Sequence, residues 1–356
     1  MPAAAPASYA QGILSPPRAS SFFQNASDLG SPNATELAQV FQTGGNGWAY
    51  WWAFNRDPYL AEVRDPGSGA ISATWLNGSR PTSGALPLDE EQVHREVVPL
   101  LQLRLAKTKD PDLAVGCLMA LGKIGEAPRA MAKEHGLTTV ESSIRGRLND
   151  SSVTVRNTAI IALGLVGGPR AASLLTGIAE GDPEGAKTLG VARIDRQAKT
   201  YALYGLGLIG YRTRRHSERT FVVGRLLAAA ESNTEENALG VAAVMGLGWA
   251  PLPLEVVAAG VNAGPLGQEA TIRRLLALFN SRKTDVRMRA QLPVALARLV
   301  QSPTGLEDPA KKLEIAAVRE KLRQEVVGRF AQGLGQRGGE KNPTVIQGLT
   351  LSLIHI

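Results

Sequence analysis

The sequence predicts an all-α protein, a right-handed α-solenoid of about five to six helix pairs that follows a disordered N-terminal segment. Three observations predict this fold class. A helix-forming stretch at Asp150–Gly167 recurs along the chain, glycine returns at the same place in its copies, and only 5% of residues are aromatic. A repeat of about 40 to 47 residues is typical of solenoids, in which each unit packs only on its neighbours.

The stretch Asp150–Gly167 shows why each repeat forms a helix. Asp150 and the two serines after it can accept hydrogen bonds from the N–H groups of a first turn. Apolar residues then follow at helical spacing and share one face: Val155, Ala159, Ala162, Leu163 and Val166. Gly167 and the Gly-Pro pair that follows it end the helix.

Glycine inside a helix costs about 1 kcal/mol relative to alanine, so its regular return predicts a packing requirement. The same position is glycine in four segments, at intervals of 42, 43 and 41 residues: Gly122, Gly164, Gly207 and Gly248. A weaker fifth copy has Ala297 in this position, 49 residues further on. We expect these glycines to face an adjoining helix that approaches closely.

Composition divides the chain into four parts. Residues 1–47 are rich in Ala, Pro, Ser, Gly and Asn and predict a disordered, low-complexity linker. Residues 48–88 predict an aromatic N-terminal cap and a long loop, and residues 89–350 predict the solenoid with a truncated last repeat. Residues 351–356, LSLIHI, are what the end of a transposon adapter for sequencing libraries encodes, so we interpret them as an artefact.

The aromatic part opens with WAYWWAFNRDPYL, which holds six aromatic residues within residues 48–59. The favoured interpretation is a cap whose rings cover the open apolar end of the first repeat. The alternative is an aromatic ligand cage or a membrane-interface anchor. Trp51 and Trp52 are therefore candidate residues for contact with a partner.

The helices of the solenoid are predicted from periodicity and from the turn residues between them. In chain order they are Asp89–Lys107, Asp112–Ile124, Leu137–Leu148, Ser151–Val166, Pro169–Ala179, Ile194–Ile209, Ser217–Glu231, Glu235–Trp249, Gln268–Phe279, Thr284–Val300 and Pro309–Leu334. An insertion near Gly181–Gly190 separates the third pair. Asn342–Thr350 opens a sixth repeat helix.

These units resemble HEAT repeats. The resemblance rests on the Asp150–Gly167 stretch and on the ending Leu-Gly-x-x-Gly at Leu121–Gly125, Leu163–Gly167 and Leu206–Gly210, and it covers roughly residues 89–350. It implies HEAT-like helix pairs and is almost silent on function. In that family an aspartate and an arginine commonly form a ladder between repeats, and only the second unit has both, at Asp150 and Arg156.

The segment Trp51–Leu60 is similar to the N-terminal segment of large bacterial HEAT-repeat proteins of unassigned function. Members of that group tend to be exported. The resemblance would imply a signal peptide upstream of Met1, since the chain as given shows no signal peptide.

Motifs for catalysis, cofactors and metals give little support to an enzyme. Gly205–Gly210 matches G-x-G-x-x-G, but it falls at the end of a predicted helix instead of after a strand, so we interpret it as helix packing. The four histidines are not spaced as metal ligands, and Cys117 lies among apolar residues as a buried, inert thiol. We therefore expect no catalytic, cofactor-binding or metal-binding residues.

Two basic clusters are the best candidates for a binding surface. The first follows the third repeat and contains Arg212, Arg214, Arg215 and Arg219. The second runs through the fifth repeat and contains Arg273, Arg274, Arg282, Lys283, Arg287 and Arg289. Solvated surface is the plainer interpretation, and a partner with acidic or phosphate groups is the functional one.

The sequence thus favours a non-catalytic protein–protein interaction scaffold whose protein partner it does not identify. One alternative is nucleic-acid binding through the basic clusters. The other is a lyase-type HEAT-like enzyme. No run of residues approaches the length of an apolar membrane span, so no transmembrane segment is expected.

Overall fold

A computed structural model describes residues 89–235, 237–254, 266–301, 309–335 and 339–355. These residues form helices and turns and contain no strand, which confirms the predicted all-α, HEAT-like solenoid. The predictions for residues 1–47 and 48–88, including Trp51 and Trp52, lie outside the described residues.

The chain divides into two compact units, Met1–Val93 and His94–Ile356. The described part of the first unit is one turn of helix, α1, which Asp89 caps by accepting a hydrogen bond from the Glu91 N–H. The helices that follow α1 lie in the second unit.

The helices follow the predicted order closely. They are α1 Glu90–Gln92, α2 Val98–Lys107, α3 Pro111–Ile124, α4 Arg129–Glu134, α5 Val140–Arg145, α6 Val153–Val166, α7 Pro169–Glu180, α8 Pro183–Thr188, α9 Arg196–Arg212, α10 His216–Ser232, α11 Asn237–Trp249, α12 Gln268–Asn280, α13 Val286–Gln301, α14 Lys312–Leu334 and α15 Pro343–His355. A π-helical turn, Val93–Val97, precedes α2, and a 3₁₀ turn, Pro309–Lys311, precedes α14.

The helices are arranged in two layers. We call α2, α5, α7, α10, α12 and α14 the A helices, and α3, α6, α9, α11, α13 and α15 the B helices. Each A helix packs on the B helix of its own pair, and every B helix packs on the next B helix, whereas contact between successive A helices is slight. The described residues therefore contain six helix pairs, within the predicted number.

Five of the six B helices begin at described Asx or Ser caps, as the recurring turn residues predict. The side-chain oxygen of Asp195 accepts a hydrogen bond from the Ala198 N–H at 2.7 Å, and that of Asp110 accepts from the Asp112 N–H at 3.0 Å. Three further caps follow the same pattern: Ser152, Asp285 and Asn342. These caps satisfy N–H groups that have no partner within the helix.

The four recurring glycines face the next B helix, which confirms their predicted role. A Cβ atom would lie 2.5 Å from Gly205 Cα if placed on Gly164, and 2.5 Å from Gly246 Cα if placed on Gly207. The corresponding distances are 3.1 Å from Gly122 to Ala162 Cα and 2.9 Å from Gly248 to Ala295 Cα. The helix backbones approach so closely that no side chain fits between them.

The G-x-G pair in α9 serves both neighbours of that helix. A Cβ on Gly205 would lie 3.3 Å from the Ile160 carbonyl oxygen of the preceding B helix, whereas Gly207 meets the following one. Two residues along a helix correspond to a rotation of about 200°, so the pair lies on opposite sides. The literal dinucleotide motif is therefore a helix-packing motif.

Four local features differ from the sequence prediction. The first helix is interrupted by the π-helical turn, and α5 covers only Val140–Arg145 of the predicted Leu137–Leu148. The short helices α4 and α8 were not predicted, and α8 lies in the insertion near Gly181–Gly190. At the other end, residues 351–355 continue α15, and the Ser352 hydroxyl donates a hydrogen bond to the Gly348 carbonyl at 2.7 Å.

The buried core contains Cys117, as expected. Burial raises the pKa of its thiol above the ordinary value, and the positive charges of Arg104 and Arg147 oppose this shift. The ladder arginine behaves differently from the family pattern, because Arg156 donates to the Asp150 and Ser151 carbonyls at the start of its own helix.

Candidate functional site

The first basic cluster lies where α9 ends and α10 begins. We call Thr213, Arg214 and Arg215 the basic turn. Thr213 is buried, and its hydroxyl accepts the Arg215 N–H at 3.1 Å and donates to a Glu218 carboxylate oxygen at 2.5 Å. These bonds hold the backbone of the turn in one arrangement.

Arg212, just before the basic turn, is a structural residue. Its guanidinium donates to the Gly122 carbonyl at 3.2 Å and to the Leu165 carbonyl, near the ends of α3 and α6. Burial lowers the pKa of Arg212, and a smaller effect from Tyr211 opposes the shift. Carbonyls in the last turn of a helix have no partner within it, so this arginine satisfies two of them and joins three repeats.

Arg219, in the first turn of α10, supports the basic turn from the other side. Its side chain is buried and donates to the Thr213 carbonyl at 2.6 Å and to the Pro251 carbonyl at 3.0 Å. The basic turn is therefore anchored at both ends by arginines that bind main-chain oxygens.

Arg214 and Arg215 extend from this anchored turn into solvent. Both are exposed, and within the described part of the chain neither forms an ion pair. His216 follows them, also exposed, with its ring 3.5 Å from the Thr220 hydroxyl. Of the four arginines in the first cluster, two bind main-chain carbonyls and two are exposed to solvent.

Arg273 and Arg274, the two residues of the second basic cluster on α12, form ion pairs. Arg273 pairs with Glu269 at 2.7 Å. Arg274 makes two bonds to Glu231, 2.6 and 2.5 Å long, which link α12 to α10. These pairs are partly exposed and each contributes little to stability, but they leave less positive charge available to a partner.

Two tyrosines on a B helix were not predicted to be functional residues. Tyr201 and Tyr204 of α9 are partly exposed, and the Tyr204 ring lies 5.9 Å from the Trp249 ring of α11. The Tyr204 hydroxyl is 3.8 Å from the Met245 sulfur. Helical spacing in α9 could have revealed this face, since residues 201, 204, 208 and 211 recur at intervals of three and four.

The two layers differ in charge. Within the bounds of the six B helices, Asp112 is the only carboxylate. The same helices contain eight basic residues: Lys123, Arg156, Arg196, Lys199, Arg212, Arg287, Arg289 and Arg298. The A helices contain eight acidic residues, and five of these form ion pairs: Glu141, Glu180, Glu231, Glu269 and Glu320. The B helices therefore differ from the A helices in having almost no carboxylate to balance their basic residues.

The described residues contain no group of three or more His, Cys, Asp or Glu side chains that could hold a metal ion. No helix among them combines the length and the apolar character that a bilayer crossing requires.

Comparisons with known proteins give structural neighbours only. No family model matches the sequence, and no curated protein matches it. The CpcE–CpcF complex of phycocyanin lyase from Nostoc sp. is similar, at 19% identity and a TM-score of 0.36, over 56% of this chain and 97% of that chain. An engineered protein is similar at 15% identity and a TM-score of 0.36, over 73% and 96% of the two chains. Human deoxyhypusine hydroxylase is similar at 14% identity and a TM-score of 0.26, over 74% and 97%.

The comparisons correct one expectation. The sequence led us to expect that the chain is not an enzyme, yet two of these HEAT-like neighbours are a lyase and a hydroxylase.

Proposed function

We propose that this HEAT-like chain binds a protein partner that presents acidic side chains, and that the basic turn contacts those side chains. The observation that carries the proposal is the contrast within one cluster. Arg212 and Arg219 fix the backbone, while Arg214 and Arg215 are exposed without ion pairs in the described residues.

The physical support is preorganisation. An arginine on a mobile loop loses conformational entropy when it binds, whereas here the loop is already ordered and only the side chains must settle. Each guanidinium can bind a carboxylate through two parallel N–H···O bonds, which favours carboxylate groups over isolated point charges.

A protein is favoured over nucleic acid by the surroundings of the turn. Single-stranded nucleic acid is usually bound by aromatic platforms beside a positive groove, and Tyr211 is the one aromatic residue within four positions of the turn. Two exposed arginines would neutralise few phosphates, whereas duplex binding commonly uses about six to ten phosphate contacts.

The remaining sequence-based hypotheses belong with this proposal. We place the chain in the bacterial HEAT-repeat group with the aromatic Trp51–Leu60 segment, and we assign Trp51 and Trp52 to partner contact. Arg273 and Arg274 would contribute once a competing carboxylate displaces Glu269 or Glu231.

The test uses the full chain and two polyanions. Binding of fluorescent polyglutamate and of duplex DNA is measured at about 50 and 200 mM NaCl, a range over which electrostatic binding weakens strongly. We expect R214E/R215E to weaken polyglutamate binding by about tenfold or more, which corresponds to about 1.4 kcal/mol.

The matched control is K107E/K109E, which makes the same charge change on an exposed turn between α2 and α3. We expect this variant to bind polyglutamate within about threefold of the original protein. An equal loss of polyglutamate affinity in both variants would show that binding responds to the net charge alone. DNA binding that is tighter than polyglutamate binding and is abolished by R214E/R215E would assign the turn to nucleic acid.

A further inference from the structure

A second surface lies on the outward side of the B helices, in the middle of the solenoid. We call it the B-face patch and define it by Tyr201 and Tyr204 of α9, Val241 of α11, and Arg287, Gln291 and Val294 of α13. Five of these side chains are partly exposed and Arg287 is exposed. The buried Met245 side chain lies beneath Tyr204.

The patch is one continuous surface because the three helices are in direct contact. Gly207 and Gly248 bring α9 against α11 and α11 against α13. The ring pair Tyr204–Trp249 crosses the first of these junctions. In α13, residues 287, 291 and 294 are spaced by four and three, so they lie on one side of that helix.

Arg287 is the one charged side chain of the patch. None of the helices α6, α9, α11 and α13 contains an aspartate or glutamate within its bounds, and the nearest carboxylate along the chain is the Asp285 cap, which accepts the Arg287 N–H at 2.8 Å. The Arg287 side chain forms no ion pair within the described residues. An exposed arginine on a fixed helix start, with an amide one turn along and tyrosine rings two helices away, is suited to a segment that carries both a carboxylate and apolar groups.

We propose that the B-face patch binds a peptide segment in which acidic and apolar residues alternate, and that the segment crosses α9, α11 and α13. Helix axes are about 8–10 Å apart, so the crossing spans about 16–20 Å, the length of about five to six extended residues. Apolar side chains of the segment pack on Tyr201, Tyr204 and Val294. Its carboxylates bind Arg287, and its backbone bonds the Gln291 amide.

This site is independent of the basic turn. Tyr201 and Arg212 are separated by about three helical turns of α9, which is about 16 Å along its axis. The two surfaces can therefore be tested separately, and the patch stands even if the basic turn binds nothing.

The test measures fluorescence anisotropy of synthetic hexapeptides with the full chain. The probe alternates glutamate and phenylalanine, a second peptide alternates glutamate and serine, and a third alternates lysine and phenylalanine. We expect the first peptide to bind at least about tenfold more tightly than either of the others, because the patch uses both charge and apolar contact.

The decisive variant is Arg287→Glu, and the matched control is Arg282→Glu, which makes the same charge change on an exposed residue five positions earlier. We expect R287E to weaken binding of the first peptide by about tenfold and R282E to change it by less than about threefold. Tyr201→Ala, with its unfolding midpoint checked, should also weaken binding.

Three outcomes would overturn the proposal. One is equal binding by R287E and the original protein. Another is equal affinity for the glutamate–serine peptide, which would remove the apolar contribution. The third is that R214E/R215E loses peptide binding while R287E keeps it, which would place the peptide on the basic turn.

Discussion

Gly164 illustrates what a single residue contributes to this fold. Its hydrogen faces the Gly205 backbone, where a Cβ would lie 2.5 Å from Gly205 Cα. In the middle of a helix glycine costs about 1 kcal/mol of helix propensity, so the close approach must return more than that in dispersion contacts between the two backbones. The regular interval between glycines in the sequence reflects this balance between helix propensity and backbone packing.

We expect Gly164→Ala to lower the free energy of unfolding by about 1–3 kcal/mol, because the new methyl group forces the two B helices apart. The measurement is urea unfolding followed by circular dichroism. Gly116→Ala is the control, since a Cβ there meets nothing within 4 Å. It should raise stability by about 0.5–1 kcal/mol through helix propensity alone. Loss of stability in both variants would contradict the packing argument.

Residues differ in how well the sequence revealed their roles. The recurring glycines and the buried Cys117 were predicted correctly because their signals are local: a spacing, or a run of apolar neighbours. The partners of Arg212 were not predictable, because the two carbonyls it binds lie 47 and 90 positions earlier in the chain. Nothing in the RTRR stretch distinguishes an arginine that holds carbonyls from one that faces solvent.

At the scale of a helix, the ends matter as much as the faces. The starts of five B helices are satisfied locally by Asx and Ser caps, but the ends of α3 and α6 are satisfied by Arg212 from a later repeat. Where a helix end lacks such a partner, its last carbonyls must bind water or remain unsatisfied at an energetic cost. Arg212 therefore couples helix termini across three repeats.

We expect Arg212→Met to destabilise the protein by about 1–3 kcal/mol, because the buried carbonyls of Gly122 and Leu165 lose their donor while apolar packing is retained. Arg214→Met, two residues away and exposed, should stay within about 0.5 kcal/mol of the original protein. Urea unfolding of both variants under one condition makes the comparison. Equal stability of the two variants would mean that the bonds to the carbonyls contribute nothing net.

The long helices were predictable and the short ones were not, for a physical reason. A helix of thirteen or more residues, such as α6, shows its apolar period and its cap in the sequence. Helices α4 and α8 have six residues each, less than two turns, so no period can be read from them. A helix this short is not stable by itself, so its formation depends on surroundings that a single sequence does not display.

At the scale of the whole chain, the A helices and the B helices differ in the kinds of contact that their residues make. The B helices carry the glycine contacts, the aromatic side chains of the B-face patch and almost no carboxylates, whereas the A helices carry the exposed ion pairs. The scarcity of carboxylates in the B helices was visible in the sequence only once the helices were assigned to layers. A HEAT-like fold by itself does not state a function.

The contacts between B helices should couple the stabilities of neighbouring repeats, because successive A helices contact one another only slightly. In such an array the free energy of unfolding is close to a sum of unit and nearest-neighbour terms. Weakening the contact between two B helices in the middle of the solenoid should therefore reduce the coupling between its two halves more than it destabilises either half. Gly207, with a Cβ position 2.5 Å from Gly246 Cα, lies at that middle contact.

We expect Gly207→Ala to turn a single urea transition into two, and to lower amide hydrogen-exchange protection mainly in α9, α10 and α11. Protection in α3 and α6 on one side, and in α13 on the other, should fall less, because their remaining neighbours are unchanged. Gly328→Ala is the control, since Gly328 is exposed on α14 and a Cβ there meets nothing within 4 Å. Uniform loss of protection along the chain in Gly207→Ala would show that the repeats unfold as one cooperative unit and that the nearest-neighbour description fails.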